Sequence, residues 1–437
     1  MLTVAGRGER FDVIVVGAGP AGLSAAYLLA KEHLKVVVIE RGDFAGAKNV
    51  MGGVLYRQPT ANIFPDFWKE APLERHIVET QAWVLTENAA FKAAHRHTAF
   101  DREPYNAFTV FRARFDKWMA AKVRAAGALI VPETVVESAI MDGDRVIGVQ
   151  TGRPDGDLYA NVVIAADGAN SLLAQNVGLR KEIRPDEAAL AVKEVIALPR
   201  EVINDRFNLT GDQGATIELY ADSTAGMMGS AWIYTNRDSL SVGVGVMISD
   251  LVERGLQPND LLERLKTHPM VAPLLEGGET REYLAHLLPE GGLRAMPRLH
   301  THGMLVAGDA AMLINSLHRE GSNLAMTSGR FAAEAVLRAR ERGDFSAETL
   351  AHYGRLLRRS YVFRDLHKYR NLARFFETHP EFFTLYPDLL NEAAREMLTV
   401  DGVPKRRKQR KIFWSALRRR MPWRMALDFF KAWRSIA

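Results

Sequence analysis

The chain has 437 residues, enough for two or three domains around a large core, and its composition is that of an ordinary globular protein. No run of eighteen apolar residues is present, and the absence of cysteine excludes disulfides, a thiolate nucleophile and a cysteine-ligated iron–sulfur cluster within these residues. The net charge of +5 is local, because residues 403–437 hold 12 Lys and Arg against one acid and leave the remainder acidic. An electron carrier with this composition would have to keep its electrons on a bound organic cofactor.

Residues 1–10 read as a loose leader without a signal-peptide pattern, so the expected location is cytoplasmic. Residues 11–16 then read as a buried parallel strand. Gly17-x-Gly19-x-x-Gly22 turns into a helix reaching about residue 30, and a second strand over 36–39 ends at Glu40. This is the βαβ pattern of a dinucleotide site, and by itself it fits NAD or FAD. The candidate contacts are Gly17, Gly19, Pro20, Ala21 and Gly22 around a pyrophosphate at the helix start, with Glu40 and Arg41 toward the adenosine ribose. A glycine-rich loop follows, in which Lys48, Asn49, Gly52 and Gly53 show no periodicity; Gly52 and Gly53 are candidates for close approach to a flat ligand.

Residues 63–105 are expected to leave the nucleotide domain. His95 and His97 lack a nearby acid or cysteine and are expected to be an exposed pair on a strand, not metal ligands. Within 111–128, Phe115, Met119 and Val123 have helical spacing, and Arg114 near the helix start is a candidate contact to a phosphate or ribose. Short strands with an Asp142–Gly143 turn follow; Val135 among them is a further candidate contact. Residues 161–171 read as a strand ending at Asp167-Gly168, both candidate contacts. Alternation over 186–290 predicts an antiparallel sheet with a helix near 259–266. A strand over 304–307 runs into Gly308-Asp309. A long helix from Asn323 is preceded by Gly321-Ser322, a start suited to negative charge on a reduced flavin. The basic tail is interleaved with Trp414, Trp423, Phe429, Phe430 and Trp433, which suits an anionic lipid surface or a docking partner; nucleic acid is not expected.

Taken together, Gly17–Gly22 with Glu40, the Arg114 segment, Asp167-Gly168 and Gly308-Asp309 resemble the FAD-binding architecture of aromatic hydroxylases. That resemblance implies an α/β, Rossmann-like FAD domain (residues 1–75, 106–185 and 291–345) with an inserted antiparallel β-rich quinone or substrate domain (76–105 and 186–290). A helical C-terminal region with a basic tail (346–437) completes it. It places Asp309 on the flavin ribityl chain and Arg114 by the ribityl or pyrophosphate, with Gly321, Ser322 and Asn323 at the ring.

The segments KNVMGGVLY, EGGLRAMPRLHTHGMLVAGDAAMLINSLHREGSNLAMTSGR and LTVDGVPKRRKQRKI resemble FixC-type subunits of the electron-transfer-flavoprotein:quinone oxidoreductase family. His318 stands where a tyrosine is expected in such proteins. The resemblance implies an FAD-dependent oxidoreductase taking electrons from the α and β subunits of an electron-transfer flavoprotein (FixA and FixB) and passing them to membrane quinone. In bifurcating members, NADH oxidation by that pair sends one electron this way. The iron–sulfur cluster would lie on a small ferredoxin-like subunit, FixX, and the chain would sit on the inner face of the cell membrane. An FAD-dependent monooxygenase or a geranylgeranyl reductase on the same scaffold is the alternative. No general base, nucleophile or metal site is implied.

Overall fold

The computed structural model describes residues 10–47 and 52–436; the leader, and Lys48 and Asn49 of the glycine-rich loop, lie outside the described residues. Two compact units emerge, one of Met1–Glu74, Asn106–Ala188 and His286–His367, the other of Arg75–Tyr105, Ala189–Ala285 and Lys368–Ala437. Helical residues from 346 onward fall partly in each.

The first unit begins with β1 (Arg10–Val16), α1 (Pro20–Lys31) and β2 (Val36–Ile39). It continues through α2 (Arg112–Ala125), β3 (Leu129–Val131), β4 (Leu158–Ala165) and β5 (Met304–Val306). Three helices follow: α3 (Ser322–Arg342), α4 (Ala347–Arg359) and α5 (Tyr361–Lys368). Strand β1 is central, with Val15 opposite both Val38 of β2 and Ile164 of β4, parallel on each side. Beyond them, Val38 pairs with Ile130 of β3, and Ile164 with Leu305 of β5, again in parallel. Val13, Ile14 and Val15 are fully buried, as the unbroken apolar run of a strand covered on both faces requires. The four chain crossings therefore leave Gly17, Glu40, Ala166 and Ala307 at one sheet edge, where open α/β sheets take their ligands.

Helices α1 and α3 approach almost backbone to backbone. A Cβ on Gly329 would stand 2.1 Å from the Ala21 carbonyl oxygen, so only glycine permits that contact. On α2, Phe115, Met119 and Val123 form the expected buried stripe. Strands Val136–Asp142 and Arg145–Thr151 close a hairpin with Gly143 at positive φ. Gly52 and Gly53 depart from expectation: they open a strand, Gly52–Tyr56, antiparallel to Ala107–Phe111. Backbone pairing holds that strand, which is why two residues without side chains gave no alternation to read.

The second unit is built on a mostly antiparallel sheet. Ala188–Ala197, Ser239–Met247, Gly229–Thr235 and Gln213–Ala221 follow one another across it, and Gln213–Ala221 pairs in parallel with Leu73–Thr86. Leu85, Ile217, Ile233 and Val242 fill its core with Leu261, Leu262 and Leu265 of the helix Pro258–Thr267. His95 lies on the strand Ala89–Arg96 and both His95 and His97 are exposed. Among the described residues no cluster of three or more metal-ligating side chains occurs.

Four helices end the chain: Leu372–Thr378, Leu385–Leu398, Lys405–Arg419 and Pro422–Ile436. Arg420 joins them, donating to Glu381 at 2.6 Å and to Asp428 at 2.7 Å. The Tyr386 hydroxyl also donates to Asp428, and burial together with that carboxylate pushes the phenol up.

Candidate functional site

The turn after β1 is shaped by two different demands. Gly17 has φ +101°, and a Cβ there would stand 2.3 Å from the Ala166 carbonyl oxygen, so the protein itself requires glycine. Gly22 is held likewise by the Gly17 carbonyl oxygen at 2.0 Å. Gly19 differs: a Cβ there would meet no protein atom within 4 Å. It is the N-cap of α1, Pro20 is the first helical residue, and no side chain caps the first-turn N–H groups. An open space in front of an uncapped helix start suits an anion. Buried Glu40 closes it, its carboxylate accepting from the Ala18 N–H at 2.8 Å and the Gly42 N–H at 2.7 Å. Each oxygen keeps a lone pair for a further donor. Arg41 is exposed beside it, and Val135 is half exposed in the segment that follows β3.

The two arginines at the start of α2 lie in different surroundings. Arg114 points outward, 68 % exposed, and pairs with Glu74 at 3.3 Å. Arg112, two residues earlier, is the buried one. Its Nε and Nη2 donate to Asp116 at 2.8 Å each, and its Nη1 donates to the Ser322 hydroxyl at 2.9 Å. The i, i+4 spacing that puts Asp116 beside Arg112 also puts Phe115 and Met119 on the same side, so the helix buries that face and turns Arg114 to solvent. Asp116 and Asp309 hold the Arg112 guanidinium above its ordinary range against the cost of burial.

Asp309 sits just past β5, after Gly308, which has positive φ and packs so close to α1 that a Cβ there would stand 2.8 Å from the Ala21 Cβ. Burial pushes the Asp309 carboxyl up, and Arg112 and Arg180 oppose that from either side. Among the described residues no donor completes a hydrogen bond to this carboxylate. Arg180 was not foreseen from the sequence. It is 7 % exposed, donates to the Ala310 carbonyl at 3.2 Å, and leaves its Nε buried without a partner. Asp167 is engaged by the loop that follows it. Its oxygens accept from the Ser171 hydroxyl at 3.0 Å and the Leu173 N–H at 3.1 Å, so it shapes the loop behind Gly168. Burial pushes its carboxyl up against those bonds.

The start of α3 completes the arrangement. Gly321 precedes the helix with no side-chain cap, and a Cβ there would touch only Ile314 at 3.6 Å, so no protein atom demands glycine. Ser322 is fixed by Arg112, Asn323 is buried, and the buried Asn315 amide nitrogen has no partner.

These residues fit a flavin dinucleotide. Two helix starts lack side-chain caps, two glycines face space that the protein does not fill, and the Arg180 Nε and Asn315 Nδ2 are buried without a hydrogen-bond partner. Helix starts suit a pyrophosphate and a flavin's electron-rich edge, while carboxylates suit ribose and ribityl hydroxyls.

Residues 10–252 match the FAD binding domain family, and residues 372–437 match the ETF-QO/FixC family C-terminal domain. The chain is 46 % identical to protein FixC of Bradyrhizobium diazoefficiens over 98 % of this chain and 99 % of that one. It is 41 % identical to YdiS of Escherichia coli, named a "probable electron transfer flavoprotein-quinone oxidoreductase", over 91 % of this chain and 92 % of that one. A geranylgeranyl bacteriochlorophyll reductase-like protein from Thermoplasma acidophilum has the same fold, with TM-score 0.72 at 22 % identity over 88 % and 92 % of the two chains. Its FAD-binding fold and its near-full-length relatives together place this chain in the ETF-QO/FixC family of FAD-dependent oxidoreductases.

Proposed function

We propose that this chain takes electrons from an electron-transfer flavoprotein αβ pair onto FAD held in the first unit and passes them to membrane quinone. The observation that carries this reading is the near-full-length likeness to FixC proteins and to a relative named for flavoprotein–quinone electron transfer. Bound FAD supplies two-electron storage with one- or two-electron release. The chain's own residues bind and orient it. The start of α1 takes the pyrophosphate with Glu40 on the ribose. Asp309, with Arg112 and Arg180 nearby, takes the ribityl hydroxyls, and Ser322 and Asn323 meet the ring. Arg112 therefore replaces Arg114 in the proposed set.

With no cysteine among these residues, an iron–sulfur cluster in the relay would belong to a separate ferredoxin-like subunit of the FixX kind. Any splitting of an electron pair between acceptors would belong to the flavoprotein pair. The assay mixes reduced electron-transfer flavoprotein, the FAD-loaded chain and a short-chain quinone. Quinol formation that needs all three is expected; rapid NADPH-linked oxygen uptake without the flavoprotein would favour a monooxygenase instead.

Contact with the membrane fits the last two helices. Among the described residues no helix is long and apolar enough to cross a bilayer. Trp414, Trp423, Phe429, Phe430 and Trp433 are each about half exposed among the basic residues of the tail. Such side chains insert at the interface while Lys and Arg meet anionic headgroups. Removing these helices would also strip Arg420 and Asp428 from their buried network, so substitution is the cleaner test. The triple change W423S, F430S, W433S is expected to lower binding to anionic vesicles in low salt at least about ten-fold, given the apolar area withdrawn. Unchanged co-sedimentation would refute the lipid contact.

A further inference from the structure

A cavity of about 290 Å³ opens on the first unit between two stretches of chain, residues 180–187 and 294–297. The two stretches are tied at both ends by backbone. The Arg298 N–H donates to the Leu179 carbonyl at 3.2 Å, and the Glu290 N–H to the Glu187 carbonyl at 2.7 Å. A Cβ on Gly291 would stand 3.1 Å from the Glu187 Cβ, so the chain segments touch there. The walls are therefore held by the protein itself and need no occupant to keep them apart.

Four cations, Arg180, Lys181, Arg184 and Arg294, line the cavity with two acids, Glu182 and Glu187. Arg184 is already matched, to Asp186 at 2.9 Å and to Glu187 at 3.0 Å. The other three cations against Glu182 leave a surplus of two positive charges. Arg180 is the most constrained of them. It is 7 % exposed, and its Nη1 donates to the Ala310 carbonyl at 3.2 Å while its Nη2 reaches only the Met312 thioether, at 3.8 Å. A thioether is a weak acceptor, so that donor is available to a stronger one. Among the described residues neither Arg180 nor Lys181 forms an ion pair. A buried guanidinium without a counter-charge is costly, and a planar carboxylate or a phosphate is the usual match for it. Burial pushes the Arg180 guanidinium down, and Asp167, Glu187 and Asp309 oppose this from further off. FAD as placed above brings its phosphates to the start of α1, so it does not supply the missing anion.

The remaining wall is apolar, with Met296, Pro297 and Met312 along it. A bare inorganic ion would leave that wall facing water. A short carbon chain carrying a carboxylate at each end would cover it and balance the charge.

We propose that this cavity binds a small dicarboxylate, its two charges matching the surplus on Arg180, Lys181 and Arg294 and its carbon chain lying on Met296 and Pro297. The site goes beyond the electron-transfer reading and does not depend on it.

The test titrates the full FAD-loaded chain with succinate by calorimetry at fixed ionic strength. One succinate per chain is expected, with the flavin retained and with inorganic phosphate binding at least about five-fold more weakly. Lys181→Ala removes an exposed cation without an ion pair and should weaken succinate binding about ten-fold, as should Arg294→Ala. Glu182→Gln removes an opposing charge and should tighten it about three-fold. Lys69→Ala, at an exposed cation outside the cavity, should change it less than about two-fold. No saturable binding up to about 10 mM succinate, or equal effects of Lys181→Ala and Lys69→Ala, overturns the proposal. Phosphate binding tighter than succinate overturns the dicarboxylate class. Release of FAD during the titration would make the cavity part of the cofactor site and overturns the proposal as well. A chain that loads no FAD fails on the cofactor reading alone, and the same titration of the unloaded chain then decides this one.

Discussion

Arg112→Ala is expected to leave the chain without FAD and to destabilise it by about 3–5 kcal/mol, because Asp116 would be left buried with no counter-charge. Asp116 is wholly buried and Arg112 supplies both of its ion-pair contacts. The same substitution at Arg114, exposed and paired at 3.3 Å with Glu74, should cost no more than about 1 kcal/mol and leave the flavin spectrum intact. The double variant Arg112→Leu, Asp116→Leu separates folding from binding. Replacing a buried pair by apolar side chains is often neutral, so stability should return. FAD should not, because Ser322 and Asp309 would have lost the guanidinium between them. Urea unfolding and the bound flavin absorbance of the three variants give the comparison. A fully loaded Arg112→Ala protein would remove this arginine from the site.

Gly17 and Gly19 should fail in different ways. Gly17→Ala combines a left-handed backbone with a Cβ 2.3 Å from the Ala166 oxygen, so the unloaded protein should lose roughly 2–4 kcal/mol. Gly19 has φ −86° and ψ −176°, which alanine adopts freely, and no protein atom crowds it. Gly19→Ala should therefore leave the unloaded protein as stable as before, or more so by about 0.4–1 kcal/mol from a less flexible unfolded chain. Its cost should appear in FAD affinity, about ten-fold or more, equivalent to 1.4 kcal/mol or above. Equal effects of the two changes on the unloaded protein would mean that the space before Gly19 has been misread.

What could be read from the chain alone followed from periodicity. Strand β2 runs over Val36–Ile39 as expected, because a parallel strand must be apolar throughout, and Phe115, Met119 and Val123 name the buried face of α2. The same stripe, extended one turn back, reaches Arg112 and leaves Arg114 off it, so which of the two is buried was readable from the spacing. Arg180 was not, since its place beside Asp309 depends on a return of the chain that no local pattern encodes. Gly52 and Gly53 gave no strand signal because the pairing lies in their backbone. Asp167 was readable as a strand-end residue, but its engagement with Ser171 and Leu173 needed the three-dimensional loop.

The most direct test is an experimental structure of the protein purified with FAD. Density for the pyrophosphate at the α1 start, the ribityl chain at Asp309 between Arg112 and Arg180, and the ring edge at Ser322 and Asn323 is the expected result. FAD lying away from Asp309, or contacting Arg114 while Arg112 stays remote, would contradict it.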